Sequence, residues 1–165
     1  RGLGDVYKRQ GDYTVCYYTK RIKTTHAHQL ALGVVMYSPV QTLFWYDKAS
    51  DYENEPEIEF FDQLPTTWDD TKVLQGKAGE YIVTARKKGN DWFVGVLTNN
   101  DAREVEVNLD FLDKKKKYTL SAYEDDDSIT TKTKVRVSKT KVTTGKKIKL
   151  KLKPSGGAAF WIHSE

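Results

Sequence analysis

The residue types that could do chemistry in this chain gather at a few places. Asp51, Glu53, Glu55, Glu57 and Glu59 alternate through one short segment. Two carboxylates flanking a glycosidic bond can act as acid and base, or as acid and nucleophile. A solvated loop running into a helix start shows the same spacing, because helix N-termini favour acids, and that reading is the stronger one. His26 and His28 stand two apart, so on a helix they face different directions and cannot hold a metal together. Either is expected to bond to backbone or to Asp12. Asp125-Asp126-Asp127 has oxygens enough for calcium but lacks the glycine and terminal glutamate of an EF-hand loop, and reads as a turn. Trp45, Tyr46, Trp68 and Trp161 could stack on sugar rings, although burial in a core or between domains accounts for most such residues. Asp47 is the position where a functional role competes best. It ends a predicted apolar strand, the place where parallel α/β barrels put substrate-facing groups.

Other chemistries are missing. The sequence holds no nucleotide-binding glycine motif, no Ser-His-Asp arrangement and no zinc spacing. One cysteine, Cys16, excludes an internal disulfide framework and a cysteine-based zinc site. The formal charge of +4 comes mostly from lysines alternating with apolar residues, as in Lys146–Lys153. Such alternation describes a solvated strand face rather than a phosphate-binding patch. With 165 residues, 38% of them hydrophobic, the chain can bury a real core in one or two domains. No stretch is apolar for long enough to span a membrane as a helix. Beginning at Arg1 rather than methionine, it reads as a fragment. Arg1–Gln10 is set apart as extraneous or unstructured, resembling an adapter-like translation at the end of an assembled reading frame. A native polar linker is the alternative.

The elements that must position these residues fall into two groups. Thr24 and Thr25 offer N-caps for a helix from His26 to about Tyr37, with Ala27, Leu30, Ala31, Val34 and Tyr37 as its buried stripe. Ser38-Pro39 stops it. Val40–Tyr46 follows as a short apolar strand, then a polar loop and a second helix carrying Ile58, Phe60 and Phe61. Helix, strand, loop and helix is the unit of parallel α/β folds. A run this short is the last piece of a barrel that typically needs ~250 residues. From Thr66 onward the period changes to two. Tyr81–Ala85 and Trp92–Thr98 flank a Gly-Asn turn as a central hairpin, with Tyr81, Val83, Ala85, Trp92, Val94 and Val96 on one face and Phe93 and Leu97 on the other. Glu104–Leu109, Tyr118–Tyr123, Val135–Val137, Lys146–Leu152 and Ala158–His163 add strands of an antiparallel sandwich. The expected fold is therefore α+β: residues 11–64 as a (β/α)8 remnant and residues 65–165 as a β-sandwich domain, the boundary falling between Phe61 and Thr67.

These segments together carry a resemblance. GDYT, TTHAHQLAL, VVMYSPVQTLFWYD, LPTTWDDT, GEYIVTARKKGNDWFVGVLTN and NLDFL, in that order, resemble the C-terminal end of glycoside hydrolase family 97. The likeness covers Gly11 to the end and weakens after Tyr123. It implies a parent built as a β-super-sandwich, a (β/α)8 catalytic barrel and a C-terminal β-domain. It also implies exo-acting α-glucosidase or α-galactosidase activity on oligosaccharides, an active-site calcium ion, export to the bacterial periplasm and self-association through the β-domain. No residue here matches the family's catalytic or calcium-binding carboxylates. Asp12 and Asp47 are expected only as neighbours of the active-site face, and the fragment alone is expected to be inactive. The competing expectation is a free-standing carbohydrate-binding or adhesion sandwich with 11–64 as a helical adaptor. A nucleic-acid partner is not expected.

Overall fold

The computed structural model describes residues 13–17, 21–38, 40–44 and 52–164. Its chain order is β1 (Tyr13–Cys16), α1 (His26–Val35), β2 (Gln41–Phe44), α2 (Ile58–Gln63) and then eight strands. These are β3 (Asp70–Lys77), β4 (Tyr81–Lys88), β5 (Asp91–Thr98), β6 (Arg103–Asn108), β7 (Tyr118–Asp125), β8 (Val135–Val142), β9 (Lys147–Leu152) and β10 (Gly157–Ser164). Antiparallel sheet is the dominant regular structure of the described chain, with few helices.

Three layers result. The middle one is a six-stranded sheet in the order β3-β4-β5-β10-β7-β8. On one face it is covered by the antiparallel pair β6-β9, and on the other by α1 and α2. Each face has its own core. Towards β6-β9, Val83, Ala85, Trp92, Val94 and Val96 meet Val105, Val107, Leu150 and Leu152. Towards the helices, Phe93, Tyr123 and Ala159 meet Ala27, Leu30, Ala31, Val34 and Phe60. A hairpin apolar on both faces has to sit in the middle of such a stack, and β4-β5 does. Its two-residue turn places Gly89 at a φ of 57°, the left-handed region that the first position of this tight turn requires. The lysine-rich β9 turns its lysines outward, where Lys147 and Lys151 pair with Glu106 and Glu104 of β6.

Several boundaries differ from expectation for identifiable reasons. α1 ends at Val35, and Tyr37 is 55% exposed rather than part of the buried stripe. Proline 39 disfavours helical backbone just before it, and Arg86 takes up the helix's last carbonyls one turn earlier. β2 begins at Gln41 rather than Val40, which is 63% exposed; Trp45 and Tyr46 lie outside the described residues. β1, not expected as a strand, pairs in parallel with β2. β3 escaped the sequence reading because it is the sheet's edge: its DTKVLQGK run is mostly exposed and polar, with a bulge between Val73 and Gln75. Charges and bulges are what protect an edge strand from pairing with strangers.

Trp92 is 5% exposed, and its ring lies 4.8 Å from that of Phe111. Truncation to alanine is expected to cost about 3–5 kcal/mol, the usual range for a core aromatic. Urea denaturation of Trp92→Ala checks this. A change within about 0.5 kcal/mol, as for ordinary surface positions, would place the ring outside the core.

Candidate functional site

The built site of this chain is the seat of α1 on the sheet. Thr25 caps the helix from its own sequence, its hydroxyl accepting the His28 N–H at 3.2 Å. α1 carries no acid in its first turn and no base in its last. Both charges come instead from the sheet. Asp125, the last residue of β7, accepts from the Thr25 hydroxyl, the Ala27 N–H and, at 3.4 Å, the Gly157 N–H. Arg86, in the middle of β4 and 5% exposed, donates from Nε to the Val34 carbonyl at 2.6 Å and from Nη2 to the Val35 carbonyl at 3.1 Å. A helix leaves N–H groups unsatisfied at one end and carbonyls at the other, with partial charges to match. A carboxylate at the start and a guanidinium at the end answer both.

Between the two clamps the helix backbone comes down onto glycine. A Cβ on Gly95 would sit 2.6 Å from the Ala31 carbonyl oxygen, and one on Gly157 would sit 2.7 Å from His28 Cα. Neither contact is tolerable, so these positions of β5 and β10 need glycine for close approach. The chain entering the helix is tied as well. Thr25 N–H donates to the Ser155 carbonyl at 3.2 Å, and His28 Nδ1 lies 3.0 Å from the Gly156 carbonyl, where its N–H donates. Burial holds the His26 and His28 imidazoles below their usual pKa, and raises that of the Asp125 carboxyl.

The acidic run is not solvated as expected. Glu55 is 2% exposed and Glu57 is fully buried, the latter against Tyr17 and Thr133 of the β7-β8 connection. Tyr17 donates its hydroxyl to Glu57 Oε1 at 2.8 Å, and Glu55 Oε2 accepts the Glu53 N–H at 3.0 Å. Burial pushes the Glu57 carboxyl up, opposed by hydrogen bonds from Thr133 and Tyr17. Glu53 and Glu59 do face solvent, paired with Lys132 and with Lys139. A sugar cannot reach the two inner carboxyls, so they do not form an acid–base pair. They anchor α2.

The remaining candidates separate cleanly. Asp125–Asp127 is a strand end and turn: Asp126 accepts from the Ser128 N–H and hydroxyl, and Asp127 pairs with Lys153 at 2.7 Å. Trp68 packs edge-on against Phe93 with 5.5 Å between centroids, and Trp161 Nε1 donates to Asp91. Asp12, Asp47 and Asp51 lie outside the described residues. Among the described residues no group of three or more His, Cys, Asp or Glu side chains could hold a metal ion. No described helix is long and apolar enough to cross a membrane. Arg86 and Asp125 are the functional residues that sequence reasoning missed. The one signal for Arg86 was a cation within the apolar run of β4.

Comparison with known proteins bears on this geometry. The family model described as glycosyl-hydrolase 97 C-terminal, oligomerisation, matches residues 67–163. A retaining alpha-galactosidase of Bacteroides thetaiotaomicron is 47% identical over 104 residues, which are 62% of this chain and 15% of that protein. A probable retaining alpha-galactosidase of Streptomyces bingchenggensis is 37% identical over 84 residues, 50% of this chain and 13% of that protein. Among solved structures, a glycoside hydrolase family 97 enzyme from Pseudoalteromonas sp. strain K8 in complex with acarbose superposes with a TM-score of 0.79 at 36% identity, covering 89% of this chain and 24% of that one. The chain thus spans about a seventh of the curated relatives that it matches.

Two outcomes follow from the clamped helix. Arg86→Met keeps the apolar stem but strands two carbonyls, and should cost about 1.5–3 kcal/mol, the range for hydrogen bonds to charged groups. Arg86→Lys should recover little of it, since a single ammonium does not reproduce the guanidinium's fork; full recovery by lysine would show that the fork is not needed. The buried carboxyl of Glu57 gives a pH signature. Its folded pKa is raised, so its contribution to stability is present below the unfolded carboxylate range and is lost as pH rises through the folded value. The lowered His26 and His28 act the other way, losing stability as pH falls below their unfolded value. Glu57→Gln should therefore raise the melting temperature on the alkaline side and leave the histidine limb in place. Superimposable melting-temperature profiles from pH 4 to 9 would contradict that assignment.

Proposed function

Taking as premise that this chain belongs to glycoside hydrolase family 97, as its C-terminal portion, we propose that the parent is an exo-acting retaining α-galactosidase and that this portion braces its catalytic domain. The observation that carries the proposal is the 47% identity to a retaining alpha-galactosidase, together with a helix held at both ends by the β-domain. The parallel β1-α1-β2 unit followed by α2 supports reading residues 11–64 as the last piece of a (β/α)8 barrel and 65–165 as the β-domain. Asp47, which follows β2 in the sequence, is proposed as a neighbour of the active-site face at the C-terminal strand ends; Asp12 comes before β1, and since β1 and β2 run parallel that is the opposite end of the pair, so the expectation for Asp12 is not kept. Retaining hydrolysis needs two carboxyls about 5–5.5 Å apart across one anomeric carbon, held by a rigid frame. Glu55 and Glu57 are buried and Glu53 and Glu59 ion-paired, and no residue here matches the family's catalytic carboxylates, so the catalytic pair is proposed to lie on earlier barrel strands. The same holds for the calcium expected of the parent. The family description supports a second duty for the β-domain, self-association of the parent, and the parent's place is proposed as the periplasm.

The experiment compares the parent with this chain on p-nitrophenyl α-galactoside and α-glucoside, with and without a chelator. The parent is expected to hydrolyse the galactoside with retention and to lose activity on chelation, while this chain shows no turnover. Turnover by this chain that is lost in Glu53→Gln would overturn the missing-pair argument. A parent inactive on every α-glycoside would sink the activity.

A further inference from the structure

The cations of this chain are unevenly placed. Residues 114–153 hold fourteen of its 27 lysines and arginines but four of its 23 acids. Those four are Glu124 to Asp127, at the end of β7 where α1 begins. Cations near them are paired: Arg136 with Glu124 and Asp126, Lys132 with Glu53, and Lys153 with Asp127. On β9, Lys147 and Lys151 pair with Glu106 and Glu104. Lys114, Lys115, Lys117 and Lys146 differ. They are exposed and form no ion pair among the described residues.

All four sit at the opposite end of the sheets from the start of α1. The antiparallel register brings the β4-β5 turn, the β6-β7 connection and the β8-β9 turn to that one end. Hydrogen bonds join the three: Lys116 Nζ donates to Asn90 Oδ1 at 2.8 Å, and the Leu109 N–H to the Lys146 carbonyl at 2.9 Å. The β6-β7 connection is itself fixed, with Leu112 buried beneath it and the Asp113 N–H donating to the Tyr118 hydroxyl at 3.3 Å. The lysines therefore project from an ordered surface. Aspartates of this end are engaged: Asp69 pairs with Lys88, Asp113 accepts the Lys115 N–H, and Asp110 accepts from Asn108.

β4 and β8 stand four strand spacings apart, ~19 Å, and stacked sheets lie ~10 Å apart, so these lysines spread over an area rather than along a line. Single-stranded nucleic acid is held by a groove with stacking rings. Here Trp92 is 5% exposed, and Trp161 is tied to Asp91. The described cations of this end are all lysines, compact point charges rather than the forks that read single phosphates. Such a cluster is what an anionic leaflet attracts, each lysine within a Debye length raising binding about fivefold. We propose that this end is a docking surface for an anionic lipid leaflet, carried by Lys114, Lys115, Lys117 and Lys146. The contact is peripheral and electrostatic, and it does not depend on the activity proposed above.

Co-sedimentation of this chain with sucrose-loaded vesicles tests it, comparing phosphatidylglycerol mixed into phosphatidylcholine with phosphatidylcholine alone. The chain should pellet with the anionic vesicles only. It should come off as salt shortens the Debye length from about 10 Å at 0.1 M to about 3 Å at 1 M. Lys114→Gln, Lys115→Gln, Lys117→Gln and Lys146→Gln together should weaken binding at least about 100-fold, given about fivefold from each. All four side chains are exposed, so this variant should melt with the unchanged chain. Lys132→Gln, Lys134→Gln and Lys153→Gln, at the other end, should leave binding within about threefold, since they lie beyond a Debye length of the leaflet. Absence of pelleting with anionic vesicles would overturn the proposal. Equal losses in the two variants would overturn it as well, by making net charge rather than this end the cause. Retention on dextran sulfate or duplex DNA without vesicle binding would replace the leaflet with a soluble polyanion.

Discussion

The close approach of one helix to one sheet governs this structure. α1 lies so near β5 and β10 that Gly95 and Gly157 admit no side chain. An unanchored helix at that distance would bury its own end groups against the sheet without partners, a cost of a few kcal/mol per group. Asp125 and Arg86 remove the cost at opposite ends, and each is itself buried or half-buried by the helix it serves. The arrangement is mutual. Without α1 the guanidinium of Arg86 would lose two of its acceptors, and Phe93, Tyr123 and Ala159 would lose their cover.

That dependence is the physical basis of the bracing role proposed for a β-domain at the end of a family 97 chain. A catalytic barrel needs its strand ends held to within fractions of an ångström, because small misplacements of reacting groups cost large rate factors. The sheet holds, at both ends, the helix that connects two parallel strands, β1 and β2. The second buried cluster, Glu57 with Tyr17 and Thr133, ties α2 to the same body at another point. Among the described carboxylates, Glu57 anchors α2, Asp125 caps α1, and Glu53, Glu59, Glu104 and Glu106 form ion pairs.

How much of this was legible in the sequence follows from the range of each interaction. The hairpin and its two apolar faces were legible, since Trp92, Val94 and Val96 alternate strictly with Phe93 and Leu97. The cap at Thr25 and the stripe Ala27-Leu30-Ala31-Val34 were legible for the same local reason. β3 was not, because an edge strand has no buried face to imprint a period. Nor was the burial of Glu55 and Glu57, whose spacing also suits a solvated helix start; Glu57 meets Tyr17 and Thr133, about 40 and 75 positions away along the chain. Arg86 and Asp125 were invisible as clamps because a helix end is completed here from strands 50 to 100 positions later, and no local pattern records that. The family resemblance, resting on ordered motifs, reached further than any single residue, and residues 67–163 match that family.

Native-state hydrogen exchange tests the central claim most directly, that α1 and the sheet open together. Amides of Leu30 to Val35 should exchange with a free energy within about 1 kcal/mol of the slowest amides of β5 and β10, as members of one cooperative unit do. If the α1 amides instead exchange several kcal/mol more easily while the sheet stays protected, the helix is only resting on the β-domain, and the brace does not exist.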